Sequence, residues 1–369
     1  MTQNQPIKKP TLALVIPSLT PGGAERVFSN IANHLANRYN IYIFTLYKDL
    51  IFYDLHPSIK VNYCLEEYRS NVNRLTSLKI HFQLFSRLKR KVSDINADLI
   101  LSFTTTANFY TVILSKILNI PSIISERIHP KYALNKPWQF LVRHSYKYTT
   151  ILVVQTEEIK NYFKRSLKDN KLKIIENPLS EHLISKKNVA LKRNNSILSI
   201  GRLESQKNQE LLLRAFSKLN HKDWELLIIG SGSLLDYYKE LSYTLKIESQ
   251  VSFLGAIKDV SPFLSQEGIF ILTSNFEGSP NVLIEAMYFE MPCISTDCPS
   301  GPNELIVNNH NGILIPTNDE QKLIDELNRL MNNSDLRNQL GRAASVSVNR
   351  FMPDIALKKW EDLIENTLK

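Results

Sequence analysis

Short runs of aliphatic residues alternate along the chain with longer stretches whose apolar positions recur every three or four residues. The short runs read as buried strands and the longer stretches as amphipathic helices, and their alternation is the pattern of parallel α/β sheets. In the front half, strands are predicted over Leu12 to Ile16, Ile41 to Leu46, Leu99 to Phe103, Ser122 to Ser125 and Ile151 to Gln155, with a helix over Ala24 to Ala36 after the first. The back half repeats the plan over Ile197 to Ile200, Leu226 to Ile229, Val251 to Leu254, Ile269 to Leu272, Cys293 to Ser295 and Ile313 to Ile315, and closes in helices. Between the halves a strand-like Leu172 to Ile175 runs into Asn177-Pro178 and then the polar stretch Ser185 to Asn195, a linker-like composition. The predicted organisation is one domain over 1–178, a second over 179–353, and a closing segment 354–369. The amphipathic part of that segment, Ile355 to Leu368, suits packing on either domain and so a crossing back to the first. The fold class expected is α/β: two Rossmann-like, doubly wound parallel-sheet domains facing across a cleft at their strand C-termini, where such sheets bind ligands.

Composition narrows the class. A length of 369 residues suits two domains, and 43% hydrophobic with 22% charged residues excludes disorder and fibrous repeats. No stretch approaches the 18 or so uninterrupted apolar residues of a membrane span, and the run Leu12 to Ile16 stops at Pro17 without a small-residue cleavage site. Three cysteines, Cys64, Cys293 and Cys298, are too few to staple a fold this large and lack zinc-ligand spacing, so reduced thiols in a cytoplasm are expected. Charge adds more. Residues 1–178 hold 25 Lys/Arg against 12 Asp/Glu, and residues 179–369 hold 20 against 24, so a net +13 faces a net −4. Such asymmetry points to an anionic partner for the front half, unless it is only a solvated basic face.

Candidate chemistry falls at strand ends. Pro21-Gly22-Gly23-Ala24-Glu25-Arg26 follows the first strand and opens a helix. Glycines there let backbone N–H groups at a helix N-terminus approach a phosphate or a sugar, although a plain strand-to-helix turn uses the same residues. Gly201-Arg202-Leu203-Glu204-Ser205-Gln206-Lys207-Asn208 follows the first strand of the back half. Arg202 and Lys207 place two cations at one strand end, which suits a diphosphate gaining charge as its bond to a sugar breaks; a surface ion pair is the plainer alternative. Phe276-Glu277-Gly278-Ser279-Pro280-Asn281-Val282-Leu283-Ile284-Glu285 is a loop running into a helix. Among 22 glutamates a pair spaced by eight is expected about once by chance, so context decides. Glu277 sits just past a strand, Gly278 to Asn281 present N–H groups at the helix start, and Glu285 lies two turns along that helix, so one carboxylate can meet sugar hydroxyls and the other a ribose diol.

Absences exclude other chemistries. No G-x-G-x-x-G follows the first strand, and Gly230-Ser231-Gly232 lacks the third glycine of a dinucleotide fingerprint. No P-loop occurs, and no Asp-x-Asp is present to hold a divalent metal on a diphosphate, so charge neutralisation is assigned to Arg and Lys and no metal is expected.

Together these segments resemble the retaining glycosyltransferases of the large family four, with the GT-B fold, and most closely bacterial members that build capsule, O-antigen or lipid-linked oligosaccharides. The marks are Ser18-Leu19-Thr20-Pro21-Gly22-Gly23-Ala24-Glu25-Arg26, Ile124-Ser125-Glu126-Arg127, Gly201-Arg202 with Lys207, the pair Glu277 and Glu285, and Asp297-Cys298-Pro299-Ser300-Gly301-Pro302. The resemblance implies that Arg202 and Lys207 grip the diphosphate of a nucleotide sugar, UDP-linked for preference, that Glu277 faces the transferred sugar, and that Glu285 holds the ribose. It also implies that Gly22, Gly23 and the segment Gly278, Ser279, Pro280, Asn281 and Val282 approach the phosphates. Many members carry a histidine at the end of the fourth strand of the first domain, where this chain reads Ser125-Glu126-Arg127-Ile128-His129; Arg127 and His129 both remain open for that role. The first domain would be the acceptor side and the second the nucleotide-sugar side. The implied reaction moves a hexose or N-acetylhexosamine to a saccharide or polyprenyl-diphosphate-linked saccharide with its anomeric configuration kept, through an oxocarbenium-like transition state. An epimerase of the same fold and a catalytically silent nucleotide-sugar binder are the alternatives.

Residues Arg74 to Lys91 read as a basic amphipathic helix, with Leu75, Leu78, Phe82, Phe85 and Leu88 in one apolar stripe and Lys79, Arg87, Lys89, Arg90 and Lys91 clustered beside it. That face suits anionic lipid heads or a lipid diphosphate, which would place the protein on the inner face of the cell membrane; an ordinary helix packed on its own sheet has the same pattern. No nucleic-acid-binding motif accompanies the charge, so nucleic acid is not an expected partner.

Overall fold

The computed structural model describes residues 9–67, 73–188, 193–220 and 223–369. The chain divides into two compact units, Met1–Ile175 with Ala356–Lys369, and Glu176–Ile355. Residues 189–192, within the polar stretch that the sequence marks as linker, lie outside the described residues. The division falls just ahead of Asn177-Pro178 because Ile175 belongs to the core of the first unit and Leu179 to that of the second.

The first unit is built on strands β1 (Thr11–Ile16), β2 (Asn40–Tyr47), β3 (Lys60–Leu65), β4 (Leu99–Phe103), β5 (Ser122–Ser125), β6 (Ile151–Val154) and β7 (Leu172–Ile174), in the order β3-β2-β1-β4-β5-β6-β7. Every pairing is parallel. Successive side chains of β1 feed opposite faces: Leu12, Leu14 and Ile16 pack with Phe28 and Ile31 of the helix Gly23–Leu35, while Ala13 and Val15 pack with Leu84 and Leu88 of the helix Arg74–Asp94. Leu357, Trp360 and Ile364 of the closing helix Pro353–Leu368 complete the first of these faces. Strand β3 was not predicted. It lies at the sheet edge, and its half-polar sequence, with only Cys64 buried, offers no aliphatic run to read.

The second unit carries β8 (Ser196–Ile200), β9 (Glu225–Ile229), β10 (Val251–Phe253), β11 (Ile269–Leu272), β12 (Cys293–Thr296) and β13 (Ile313–Ile315), all parallel, in the order β10-β9-β8-β11-β12-β13. In both sheets the winding reverses beside the first strand, between β1 and β4 and between β8 and β11. Connections leave in opposite directions at such a point and open a crevice past the strand C-termini. The strand-end segments that carry the family resemblance follow β1, β5, β8, β11 and β12.

The basic helix departs from expectation. Its buried side chains are Leu84, Leu88 and Val92, with Ile80 and Phe85 packed partly against the same cluster. Leu75, Leu78 and Phe82 point outward, at 73%, 67% and 73% exposure, so the predicted single stripe splits between two faces. The physical reason is phase: at about 100° per residue Leu75, Leu78 and Phe82 lie opposite the 80-84-88-92 row, and the row that meets the sheet wins.

Candidate active site

The loop after β8 and the loop after β11 are laced together at the switch point of the second sheet. Gln206 donates its amide to Phe276 O at 2.9 Å, Asn275 N–H donates to Gln206 O at 2.8 Å, and the Thr273 hydroxyl donates to Lys207 O at 3.0 Å. This lacing brings Lys207 Nζ to 2.6 Å from Glu277 Oε1, with the Ser274 hydroxyl donating to the same oxygen at 2.5 Å. Both charged side chains are largely withdrawn from water, Glu277 to 5% residue exposure, so each compensates a partner whose lone burial is costly. Arg202 stands at the exposed edge, where its Nη2 donates to Gln206 Oε1 at 3.3 Å. The three residues predicted to act together are thus neighbours through Gln206 and the 2.6 Å pair.

Backbone approach sets this geometry. Gly230 has φ +147, and a Cβ there would lie 1.9 Å from Gly201 O; one at Gly232 would lie 2.3 Å from Leu203 O. The two glycines of Gly230-Ser231-Gly232 therefore let the turn after β9 lie against the 201–203 backbone. On the other side, Gly301, at φ +108, packs against Pro280, and the Ser300 hydroxyl donates to Gly278 O at 3.3 Å. The segment Gly278, Ser279, Pro280 leads into the helix Asn281–Tyr288, whose first turn carries Asn281 and Val282 and whose N-cap position is Pro280, a residue with no capping side chain. Asn177 donates to Asn281 Oδ1 at 2.5 Å. Glu285 lies one turn into this helix and not two as expected, because the helix begins at Asn281, after Pro280, and it is 3% exposed. Burial raises the Cys298 thiol to about 12, with the Glu277 carboxylate adding to it, so this cysteine is inert.

In the first unit, Gly22 precedes the helix Gly23–Leu35 in an extended conformation, and the Tyr53 hydroxyl donates to Gly22 O at 3.0 Å. Glu25, in the first turn of that helix, is close enough to raise the pKa of Arg127, so the segments after β1 and β5 share one charge environment. Burial pulls Arg127 down to about 9, which leaves it a cation at neutral pH. Its guanidinium lies 4.4 Å over the Phe103 ring and its Nη1 donates to Ser125 Oγ at 3.1 Å. Phe103 in turn packs on Trp360 at 5.6 Å and on Phe28 at 5.3 Å.

His129 is placed differently. It is 2% exposed, its Nδ1 accepts the Lys131 N–H at 3.2 Å as the cap of a single helical turn, and Tyr132 and Tyr162 pack edge-on against it. Burial lowers its pKa to about 4, so the ring is neutral near pH 7. Glu126, between the named positions, carried no assignment from sequence; the structure buries it completely. Nothing in its spacing signals that direction, since strand-end residues face inward or outward according to the helices packed beside them.

Of the basic helix, Lys79, Lys89 and Arg90 are exposed, Lys91 is half-buried, and Arg87 donates to Cys64 O of β3 at 2.9 Å. Among the described residues no helix is long and apolar enough to cross a membrane, and no three His, Cys, Asp or Glu side chains gather to hold a metal ion.

Residues 21–182 match the family described as Glycosyltransferase Family 4, and residues 180–346 match glycosyl transferases group 1. Over 359 residues the chain is 30% identical to the Campylobacter jejuni GalNAc-alpha-(1->4)-GalNAc-alpha-(1->3)-diNAcBac-PP-undecaprenol alpha-1,4-N-acetyl-D-galactosaminyltransferase, covering 96% of this chain and 98% of that protein. The chain belongs to glycosyltransferase family 4. It is also 24% identical to an amylovoran biosynthesis glycosyltransferase of Erwinia amylovora, over 93% of this chain and 96% of the relative. The fold matches that of Anabaena HepE in complex with UDP-glucose, with a TM-score of 0.79 at 18% identity, covering 96% of this chain and 99% of that one. The architecture is GT-B, and this family 4 transferase lends no support to the epimerase alternative.

Proposed function

We propose that this glycosyltransferase moves a hexose or N-acetylhexosamine from a UDP-sugar to a saccharide or polyprenyl-diphosphate-linked saccharide, with retention of configuration and without a metal, in the synthesis of a cell-surface polysaccharide. The observation that carries the reading is the Lys207–Glu277 pair at 2.6 Å, assembled from both loops of the β8–β11 switch point with Arg202 at its rim. A diphosphate at this point meets two cations and the N-terminal end of the helix Asn281–Tyr288, while Glu277 is left to orient the sugar and Glu285 the ribose. The UDP-glucose bound to the similar Anabaena protein and the undecaprenol-linked acceptor named for the Campylobacter relative support the donor and acceptor classes.

In the step proposed, the acceptor hydroxyl oxygen bonds to the anomeric carbon as the bond from that carbon to the diphosphate oxygen breaks. The bonding pair leaves on the diphosphate, stabilised by Arg202 and Lys207, and the acceptor proton passes to a phosphate oxygen, giving glycoside and UDP. Of the two candidates after β5, Arg127 takes the ligand-facing role, since it keeps an open edge while His129 is buried as a cap. The outward face of the basic helix, Leu75, Leu78 and Phe82 beside Lys79 and Lys89, suits an anionic membrane surface on which a lipid-linked acceptor resides. Incubation with UDP-hexoses and UDP-N-acetylhexosamines in EDTA tests the reading. Release of UDP with an anomer-retained product supports it. Turnover that returns only with magnesium or manganese removes the metal-free part, an isomerised sugar would indicate an epimerase, and binding without turnover would indicate a silent binder.

A further inference from the structure

A buried carboxylate that the proposed transfer leaves unused lies one residue before Arg127. Glu126 is excluded from solvent, yet both its oxygens are matched. The Thr105 hydroxyl lies 3.0 Å from each, the Tyr146 hydroxyl donates to Oε2 at 2.8 Å, and the Arg127 N–H donates to Oε1 at 3.1 Å. These donors come from the helix Thr105–Leu118, the helix Lys136–Tyr146 and the chain after β5, so the carboxylate ties three elements together. The surroundings are equally fixed. Asn108 donates to Ser125 O at 2.9 Å and accepts from the Ser102 hydroxyl at 2.8 Å. Thr104 adopts φ 72, a region that β-branched residues avoid, and its N–H reaches Ser125 O at 3.1 Å. Local strain of this kind persists where the surroundings over-determine it, often at functional sites.

We infer that Glu126 is a positioning residue: its ionised carboxylate, gripped by Thr105 and Tyr146, fixes the Arg127 backbone and balances the Arg127 charge, so that the guanidinium stays seated on Phe103 and Ser125. The inference rests on the reading of Arg127 as a ligand-facing residue. Burial raises Glu126 to about 7, against the opposing pull of Tyr146, Thr105 and the N–H groups of Arg127 and Ile128. The titratable and charged groups around it are Arg127, Tyr146 and, from the helix Glu157–Lys164, Tyr162 beneath the Arg143 guanidinium; Glu25 faces Arg127. Burial and the Glu126 charge hold Tyr146 well above its usual value, so it stays a donor throughout. As pH falls through the Glu126 midpoint, Arg127 loses its counter-charge and its seat loosens.

The test pairs side-chain NMR of Arg127 with kcat/KM for UDP-sugar turnover, both followed from about pH 5.5 to 9. In the parent protein the Arg127 guanidinium resonance and kcat/KM should share one midpoint near that of Glu126. Glu126→Gln should erase the midpoint and lower kcat/KM about tenfold at alkaline pH, a scale set by the loss of one charge-assisted contact. Tyr146→Phe and Thr105→Val should each move the midpoint upward, and they carry the test if Glu126→Gln does not fold. An Arg127 resonance that ignores the Glu126 titration, or a midpoint that survives Glu126→Gln, overturns the inference. Normal turnover in Arg127→Ala overturns the ligand-facing reading and this inference with it. Lost turnover in Arg127→Ala, with an unchanged profile in Glu126→Gln, overturns this inference alone.

Discussion

At the switch point of the second sheet, Lys207 and Glu277 meet side chain to side chain and Arg202 stands at the solvent edge; beside that of the first sheet, Glu126 is sealed inside and Arg127 lies on an aromatic ring. Both sheets wind in the same way, and both place charge at strand C-termini. The difference lies in what holds the charge. In the second unit two loops supply opposite charges to each other, so the site is kept by pairing. In the first unit a carboxylate and a guanidinium are held by hydroxyls, backbone N–H groups and a run of aromatic contacts that reaches to Trp360 of the closing helix. Fold alone therefore does not dictate how a site is built; the residues at the strand ends do.

The largest effect should come from breaking the paired side. Arg202→Ala, Lys207→Ala and Glu277→Ala should each lower kcat about 10²- to 10³-fold, the scale of losing one preorganised transition-state contact. Glu285→Ala should act mainly by raising KM, because a ribose contact is made equally in ground and transition states. Steady-state kinetics on variants shown by circular dichroism to be folded decide this. Normal turnover in the first three would mean that the switch point of the second sheet is not where transfer occurs.

Packing on the other side is broken from a distance. Trp360→Ala removes a fully buried ring packed on Phe103 and should cost the first unit about 3–5 kcal/mol, measured by denaturant unfolding. A fall below about 1 kcal/mol would show that the closing helix does not support the Arg127 seat.

A pH series sharpens the contrast further. Glu126 is raised from 4.5 to about 7 in the folded protein, so its contribution to stability is fully present below the unfolded value and lost as pH rises through 7. The first unit should lose about 3 kcal/mol across that window, and Glu126→Gln should flatten the dependence. The same ionisation that weakens the fold seats Arg127, an arrangement in which function draws on stability. Chemical denaturation at several pH values reads the slope, and an identical slope in Glu126→Gln would assign the dependence elsewhere.

The smallest effect concerns the outer face of the basic helix. Lys79→Glu with Lys89→Glu should weaken binding to phosphatidylglycerol vesicles by about 1 kcal/mol per charge removed, and high salt should weaken it in the parent. Equal sedimentation with neutral and anionic vesicles would remove the electrostatic part of that reading.

Much of this was legible from the chain alone. Among the described residues, twelve of thirteen strands were marked to within a residue or two, the central ones by aliphatic runs, since a strand covered on both sides has little room for polar residues. The segments Gly201 to Asn208 and Phe276 to Glu285 could be assigned to strand ends because they directly follow such runs. Strand β3 was not legible, because Lys60-Val61-Asn62-Tyr63-Cys64-Leu65 is half polar and buries only Cys64.

What the sequence by itself determined is the alternation of strand and helix, the charge asymmetry of the halves, and the chemistry offered at each strand end. These are local properties, set by residue type and spacing. Tertiary structure decided which face of the helix Arg74–Asp94 is buried, leaving Leu75, Leu78 and Phe82 outside a stripe that periodicity alone would join to Leu88. It decided that Glu126 turns inward to Thr105 and Tyr146, that His129 is a buried cap, and that Trp360, 233 residues beyond Arg127 in the chain, lies against the ring on which Arg127 rests. Each of these depends on a partner distant in sequence, and the burial that such a partner imposes sets both the direction of a side chain and the charge it can bear.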